Sequence, residues 1–232
     1  MTLTRYGIRE WGSALIFTVI LLVGCYFLYR GGYPGWAGGI GIAAIVIFFA
    51  FAAFFRNPRR SIPNDSDWLI SPADGVVRDI GEVDDFNFPP FEGRAVRIGI
   101  FLSVLNVHVN RASADFVVES KFYREGKFLD ARHPECATVN EAMTIAGTAS
   151  ANGKHFPMAI RQISGKLARK IVCPVNPGRH LKRGEIYGMI KFGSRTELYL
   201  PVDEFEIKVK IGETVRGGET VMAIAKDSRS GK

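Results

Sequence analysis

EIYGMIKFGSRTELYLPVDEFEIKVKI, residues 185–211, decides the fold class. In its last third Phe205, Ile207, Val209 and Ile211 alternate with Glu206, Lys208 and Lys210. Alternation with a period of two is the signature of a strand with one buried face. Leu198-Tyr199-Leu200 is a second strand-like run, and Gly193-Ser194 separates it from the apolar residues before it. Two readings of that pair compete. It is a tight bend in a β-sheet, or it is a peptide bond made to be broken.

The same texture extends outward. GVVRDI (75–80), RAVRIGIFL (94–102), NVHVNRA (106–112), DFVVESKFY (115–123), PMAIRQI (157–163) and ARKIVCPV (168–175) are short and rich in Val, Ile and Phe. Gly, Pro, Asn and Asp punctuate them, as turns require. After Phe55 no long 3.6-residue periodicity is present. The soluble part is therefore mainly β, a barrel or sandwich. It also echoes itself. Gly178 to Glu185 and Gly212 to Glu219 share the pattern G-x-x-apolar-K/R-x-G-E. Such turns join the halves of hybrid barrel-sandwich domains, the fold of lipoyl and biotinyl carriers. No carrier hairpin with a central Lys accompanies them, which favours an architectural role.

The first sixty residues differ in kind. Trp11 to Tyr29 and Trp36 to Phe55 carry no charge. Each run has about the 20 residues a helix needs to cross a hydrocarbon core of about 30 Å. The first lacks the small-residue cleavage site of a signal peptide. Residues 1–60 thus read as an anchor of two transmembrane helices, about 11–29 and 36–55, and residues 61–232 as a β-rich domain. Arg5 and Arg9 precede the first span and Arg56, Arg59 and Arg60 follow the second, while Arg30 alone lies between them. The excess of basic residues outside the hairpin places both ends in the cytoplasm of a cell (inner) membrane.

The net charge of +7 asks for an anionic partner. Zinc-finger spacing, an RNP-type aromatic motif and a Lys/Arg-dense tail are all missing, so nucleic acid is set aside in favour of an anionic membrane surface. FNFPPFEG (86–93) reads either as a loop that dips into the interface or as one packed on its own domain. The three cysteines, Cys25, Cys136 and Cys173, form no C-x-x-C, which argues against a disulfide framework and a thiolate metal site.

Serine becomes a nucleophile only when a base takes its proton. Of the four histidines, His133, His155 and His180 lie in polar stretches, whereas His108 sits in the apolar FLSVLNVHVNRA. Asp74, in SPADGVV (71–77), is a carboxylate of the kind that orients such a base, although Asp-Gly is also ordinary turn chemistry. By spacing alone, Ser194, His108 and Asp74 form no defined set.

Their order along the chain is more specific. An apolar hairpin ends in FFRNPRR (54–60); SPADGVV, FLSVLNVHVNRA and a late FGSRTELYLP follow. In that order these motifs resemble the phosphatidylserine decarboxylase family, especially its short bacterial and archaeal-type members. The resemblance covers nearly the whole chain. It implies that the chain is a proenzyme that cuts itself between Gly193 and Ser194, giving a β chain of 1–193 and an α chain of 194–232 that stay associated. Ser194 is then both nucleophile and precursor of a covalent pyruvoyl cofactor. His108 is implied as base or proton donor and Asp74 as orienting carboxylate, with no metal. The reaction implied is loss of CO2 from phosphatidylserine, through a Schiff base with the pyruvoyl group, to give phosphatidylethanolamine.

Two departures from the family pattern stand out. Longer members carry a second histidine where this chain has Arg111. Where members often show Asn-Glu-Arg, this chain has Asn140-Glu141-Ala142; if that arginine meets substrate, Arg132 or Arg195 is the replacement. Three other readings remain: a membrane-anchored serine hydrolase using Ser194, a non-enzymatic barrel-sandwich carrier or adaptor, and a relative acting on another serine phospholipid. Homo-oligomerisation is left open.

Overall fold

The computed structural model describes residues 2–133, 135–166, 170–191 and 193–226. Parts of two strand readings, residues 168–169 and Phe192, and the end of the α chain from 227 on lie outside these. The chain divides into two compact units at Arg59/Arg60.

In the first unit, strands β1 (Thr2–Leu3) and β2 (Arg56–Asn57) pair antiparallel and bring its two ends together. Between them run helices α1 (Ile8–Arg30) and α2 (Pro34–Phe54). Pro34 sits at the first helical position of α2, where its missing N–H costs nothing. The helices meet through small residues: a Cβ on Gly41 would lie 3.6 Å from the Leu22 side chain and 3.9 Å from Cys25 Sγ. Close approach at small residues is how helices associate where no hydrophobic effect drives them. Ile16, Phe17, Ile20, Ile42, Ile47 and Phe49 point outward and are exposed. Both helices are long and apolar enough to cross a membrane.

The second unit is mainly β. Its strands are β3 (Trp68–Ile70), β4 (Gly75–Phe88), β5 (Phe91–Leu102), β6 (Val109–Arg111), β7 (Asp115–Arg124), β8 (Ala142–Ala151) and β9 (Lys154–Ile163). They continue as β10 (Lys170–Val172), β11 (His180–Leu181), β12 (Ile186–Lys191), β13 (Ser194–Pro201), β14 (Phe205–Ile207), β15 (Thr214–Val215) and β16 (Val221–Ala225). One helical turn, α3 (Cys136–Val139), interrupts them. Eight strands form a curled antiparallel half-barrel in the order β11-β7-β8-β9-β13-β5-β4-β15. Two three-stranded sheets, β10-β12-β6 and β14-β16-β3, complete it.

Alternation builds the core. Ile98, Ile100 and Leu102 of β5 and Leu198 and Leu200 of β13 point to one side, against Phe116, Met158, Ile160, Leu69 and Met222. Each such side chain, fully buried, contributes about 1.5–3 kcal/mol. The other side carries an aromatic cluster in which Phe86 packs on Phe91 at 4.8 Å and on Tyr199 at 4.3 Å between ring centroids. Residues 86–93 are thus the tip of the β4–β5 hairpin, with Phe86 and Phe91 buried in their own domain. The interface-dipping reading of that stretch fails because these rings already cover a sheet face.

The echoed turns have matching structural roles. Gly178 N–H donates to Val118 O and Gly212 N–H to Val77 O; Gly184 N–H donates to Ala112 O and Gly218 N–H to Ser71 O. One turn delivers β11 and the other β15, the two edges of the large sheet. The repeat is architectural.

Candidate functional site

β13 is the strand that places Ser194. It lies between β5 and β9, pairing Ser194 with Leu102, and every residue along it is buried. Gly193 precedes it with φ of +63°, in the left-handed region that glycine enters without the Cβ penalty. Ser194 is fully buried, and its Oγ has no hydrogen-bond partner among the described residues. Leaving a buried hydroxyl unpaired costs about 1–3 kcal/mol, so such an orphan calls for a chemical reason.

His108 reaches the same peptide from the other side. At the end of β5 the chain turns over Ser103–Asn106, closed by bonds from Ser103 N (2.8 Å) and Oγ (2.7 Å) to Asn106 Oδ1. It then returns to His108, whose carbonyl accepts from Ile190 N–H on β12. The imidazole is fully buried. Its Nδ1 lies 2.9 Å from Asn106 O, and its Nε2 accepts the Gly193 N–H at 3.2 Å. A carbonyl only accepts, so Nδ1 carries the proton and Nε2 presents a lone pair. The neutral tautomer with its basic nitrogen at the Gly193–Ser194 segment is the one a general base needs.

The Gly193 carbonyl is covered by backbone. A Cβ on Gly165 would stand 2.3 Å from Gly193 O and 3.2 Å from Gly193 C. Only a glycine at 165 lets this segment pass so close to that carbonyl.

Asp74 belongs to a different network. Its carboxylate accepts from Arg60 Nη2 at 2.8 and 2.7 Å and from the Gly217 N–H at 2.8 Å. Arg60 also meets Glu219 at 3.3 Å. Arg111 is buried against this group and donates to Gly184 O at 2.9 Å. Burial, and then the Arg60 charge, lower its pKa from the usual guanidinium value. The structure therefore brings Gly193, Ser194 and His108 together and joins Asp74 to Arg60 across the β3–β4 turn.

Sequence reasoning missed two buried polar systems. Gln162 Nε2 donates to Asn110 Oδ1 at 2.8 Å, and Asn110 Nδ2 donates to Thr196 Oγ1 at 2.9 Å, tying β9, β6 and β13 together two residues beyond Ser194. On the opposite face of β13, Arg195 donates to Glu197 Oε1 (2.8 Å) and meets Asp79 (2.7 Å), while Tyr199 OH donates to Glu197 Oε2 (2.6 Å). Burial disfavours the Arg195 charge, but Glu197 and Asp79 outweigh it and raise the pKa. The available signal was Arg195, Glu197 and Tyr199 at i, i+2 and i+4, on one face of a strand. Arg195 is thus consumed in ion pairs, which takes it out of contention as the replacement substrate cation. Arg132 grips Asp130 through Nη2 (2.6 Å) and Nε (3.0 Å), holding that carboxyl down at about 2.

His133, His155 and His180 are exposed, as surface residues should be. The three cysteines are free thiols. Among the described residues no group of His, Cys, Asp and Glu could hold a metal ion.

Comparison with known proteins shows the family of the chain. Residues 47–223 match the family model described as phosphatidylserine decarboxylase. A phosphatidylserine decarboxylase proenzyme of Carboxydothermus hydrogenoformans is 45% identical over 183 residues, covering 79% of this chain and 83% of the relative. A proenzyme of the same name from Rhodopirellula baltica is 42% identical over 220 residues, 94% of this chain and 86% of its own. One from Geobacter sulfurreducens is 40% identical over 189 residues, 82% and 83% of the two chains.

Proposed function

The chain belongs to the phosphatidylserine decarboxylase family, and from that premise we propose that Ser194 is the residue it converts into its pyruvoyl group. The protein is a pyruvoyl-dependent decarboxylase, made as a proenzyme, that turns phosphatidylserine into phosphatidylethanolamine and CO2. The serine hydrolase and carrier readings gain no support.

One observation carries the assignment of the site: a buried Ser194 Oγ without a partner, next to a glycine peptide whose N–H is held by His108 Nε2. His108 gives up that bond and takes the Oγ proton. Oγ attacks the Gly193 carbonyl carbon, and the peptide N–C bond breaks to leave an ester and a free amine. Removal of the Ser194 α-proton expels the Gly193 carboxylate and leaves dehydroalanine. Its imine tautomer takes up water and releases ammonia, so the new chain begins with a ketone in place of an amine. Gly165 keeps the space beside the reacting carbonyl clear.

The surroundings of Ser194 suit such a group, being dry and bordered by the His108 imidazole. When present, the ketone supplies the electron sink for the carbanion left by departing CO2, which no side chain supplies. His108 is the group placed to return a proton to that carbon. Asp74 acts at a distance, by fixing the β3–β4 turn through Arg60. The chains 1–193 and 194–232 stay together, and α1 and α2 hold the second unit at the cytoplasmic face of the cell membrane.

The test is an assay of purified protein with phosphatidylserine, scored by CO2 and phosphatidylethanolamine. Ser194→Ala is expected to give one uncut chain and neither product. A Ser194→Ala protein as active as wild type would overturn the assignment.

A further inference from the structure

Beside Gly193 lies a cavity of about 310 Å³, bordered by Phe101, Val104, Asp130, Arg132 and Lys166. Its charges are unequal in availability. Arg132 spends its guanidinium fork on Asp130. Lys166 makes no hydrogen bond or ion pair with a described residue, and its field only adds to Arg132 in holding the Asp130 proton off. With one carboxylate against two cations, the cavity keeps a net positive charge with the lysine ammonium as its unspent donor. One rim of the same cavity is apolar. Val104 is 44% exposed and Leu105, next to it at the tip of the turn, is 84% exposed. The turn is fixed by the Ser103–Asn106 bonds, so these side chains are held outward on a rigid support.

We propose that this cavity is the headgroup-phosphate subsite of the phospholipid, with Lys166 binding the phosphodiester and the Val104–Leu105 turn meeting the acyl chains at the bilayer interface. The inference rests on the decarboxylase reading and deepens it. Phosphate lies only a few bonds from the carbon that loses CO2, so its subsite must adjoin Ser194, and this cavity touches Gly193. An ammonium suits a phosphodiester as a point charge with rotatable donors. The apolar rim suits the other end of the same molecule, whose chains stay in the membrane while the headgroup enters. Arg132 stays with Asp130 and adds to the field.

Full-length Lys166→Gln tests the subsite with phosphatidylserine in mixed micelles. Cleavage at Gly193–Ser194, read as two fragments on a denaturing gel, should persist. KM should rise about tenfold, the worth of one charge-assisted bond, with a smaller change in kcat, and Lys166→Arg should recover most of it. A cleaved Lys166→Gln enzyme with KM within about twofold of wild type would overturn the subsite. Should that variant stay uncut, Leu105→Gln decides: it must lose more activity on phosphatidylserine vesicles than on a monomeric short-chain phosphatidylserine. Equal effects on the two substrates would overturn the proposal. A wild-type protein that neither cleaves nor releases CO2 would instead sink the functional reading beneath it.

Discussion

Gly165 carries no functional group, yet it bounds the space around the Gly193 carbonyl. Its missing Cβ is the space into which the Gly193 carbonyl fits, since an added methyl would stand 2.3 Å from that oxygen. Gly165→Ala must push the scissile carbonyl off its position. A displacement of about 1 Å can cost about a hundredfold in rate, so cleavage should slow by that order while the fold persists. The time course of fragment appearance on denaturing gels checks this; wild-type kinetics would remove Gly165 from the site. No sequence pattern announces such a glycine. Ser194 and His108 were singled out by the order of motifs that resembles the family, since spacing alone defined no set; the structure brings the His108 imidazole to the Gly193–Ser194 segment. Asp74 was legible as a residue but not in its partner: Arg60 is local in sequence, yet only the folded turn shows that its guanidinium takes the carboxylate.

β13 is the strand that holds Ser194 between β5 and β9. In the proposed maturation its first residue is freed, while its backbone is paired to β5 on one side and β9 on the other. Its polar face is locked by Arg195, Glu197 and Asp79. Arg195→Ala would leave Glu197, wholly buried, supported only by Tyr199 OH and by Arg97 Nε at 3.9 Å among the described residues. Removing one partner of a buried pair costs about 3–5 kcal/mol, so thermal or denaturant unfolding should shift by that much. An unchanged midpoint would show that the network adds nothing. The strand was readable here from Leu198-Tyr199-Leu200, whereas the alternating run from Phe205 to Ile211 is strand only over Phe205–Ile207. The central position was not, because β5 and β9 come from residues 91–102 and 154–163 and register is set by three-dimensional pairing. The Gln162–Asn110–Thr196 chain was hidden for the same reason, since its members sit on three separate strands.

At the scale of the whole molecule, two units divide the work. The helical hairpin, recognisable from its uncharged runs alone, supplies spans apolar enough for a membrane. The β unit carries every residue of the site, and its echoed turns close the large sheet at both edges. A proenzyme so built must survive its own cutting. If the chain itself breaks the bond between Gly193 and Ser194, the intact mass of the purified, active protein under denaturing conditions must show it. Two masses are expected, one for residues 1–193 and one for a fragment starting at residue 194 whose N-terminus carries a ketone and resists Edman degradation. A single mass for all 232 residues in a preparation that decarboxylates phosphatidylserine would contradict self-cleavage.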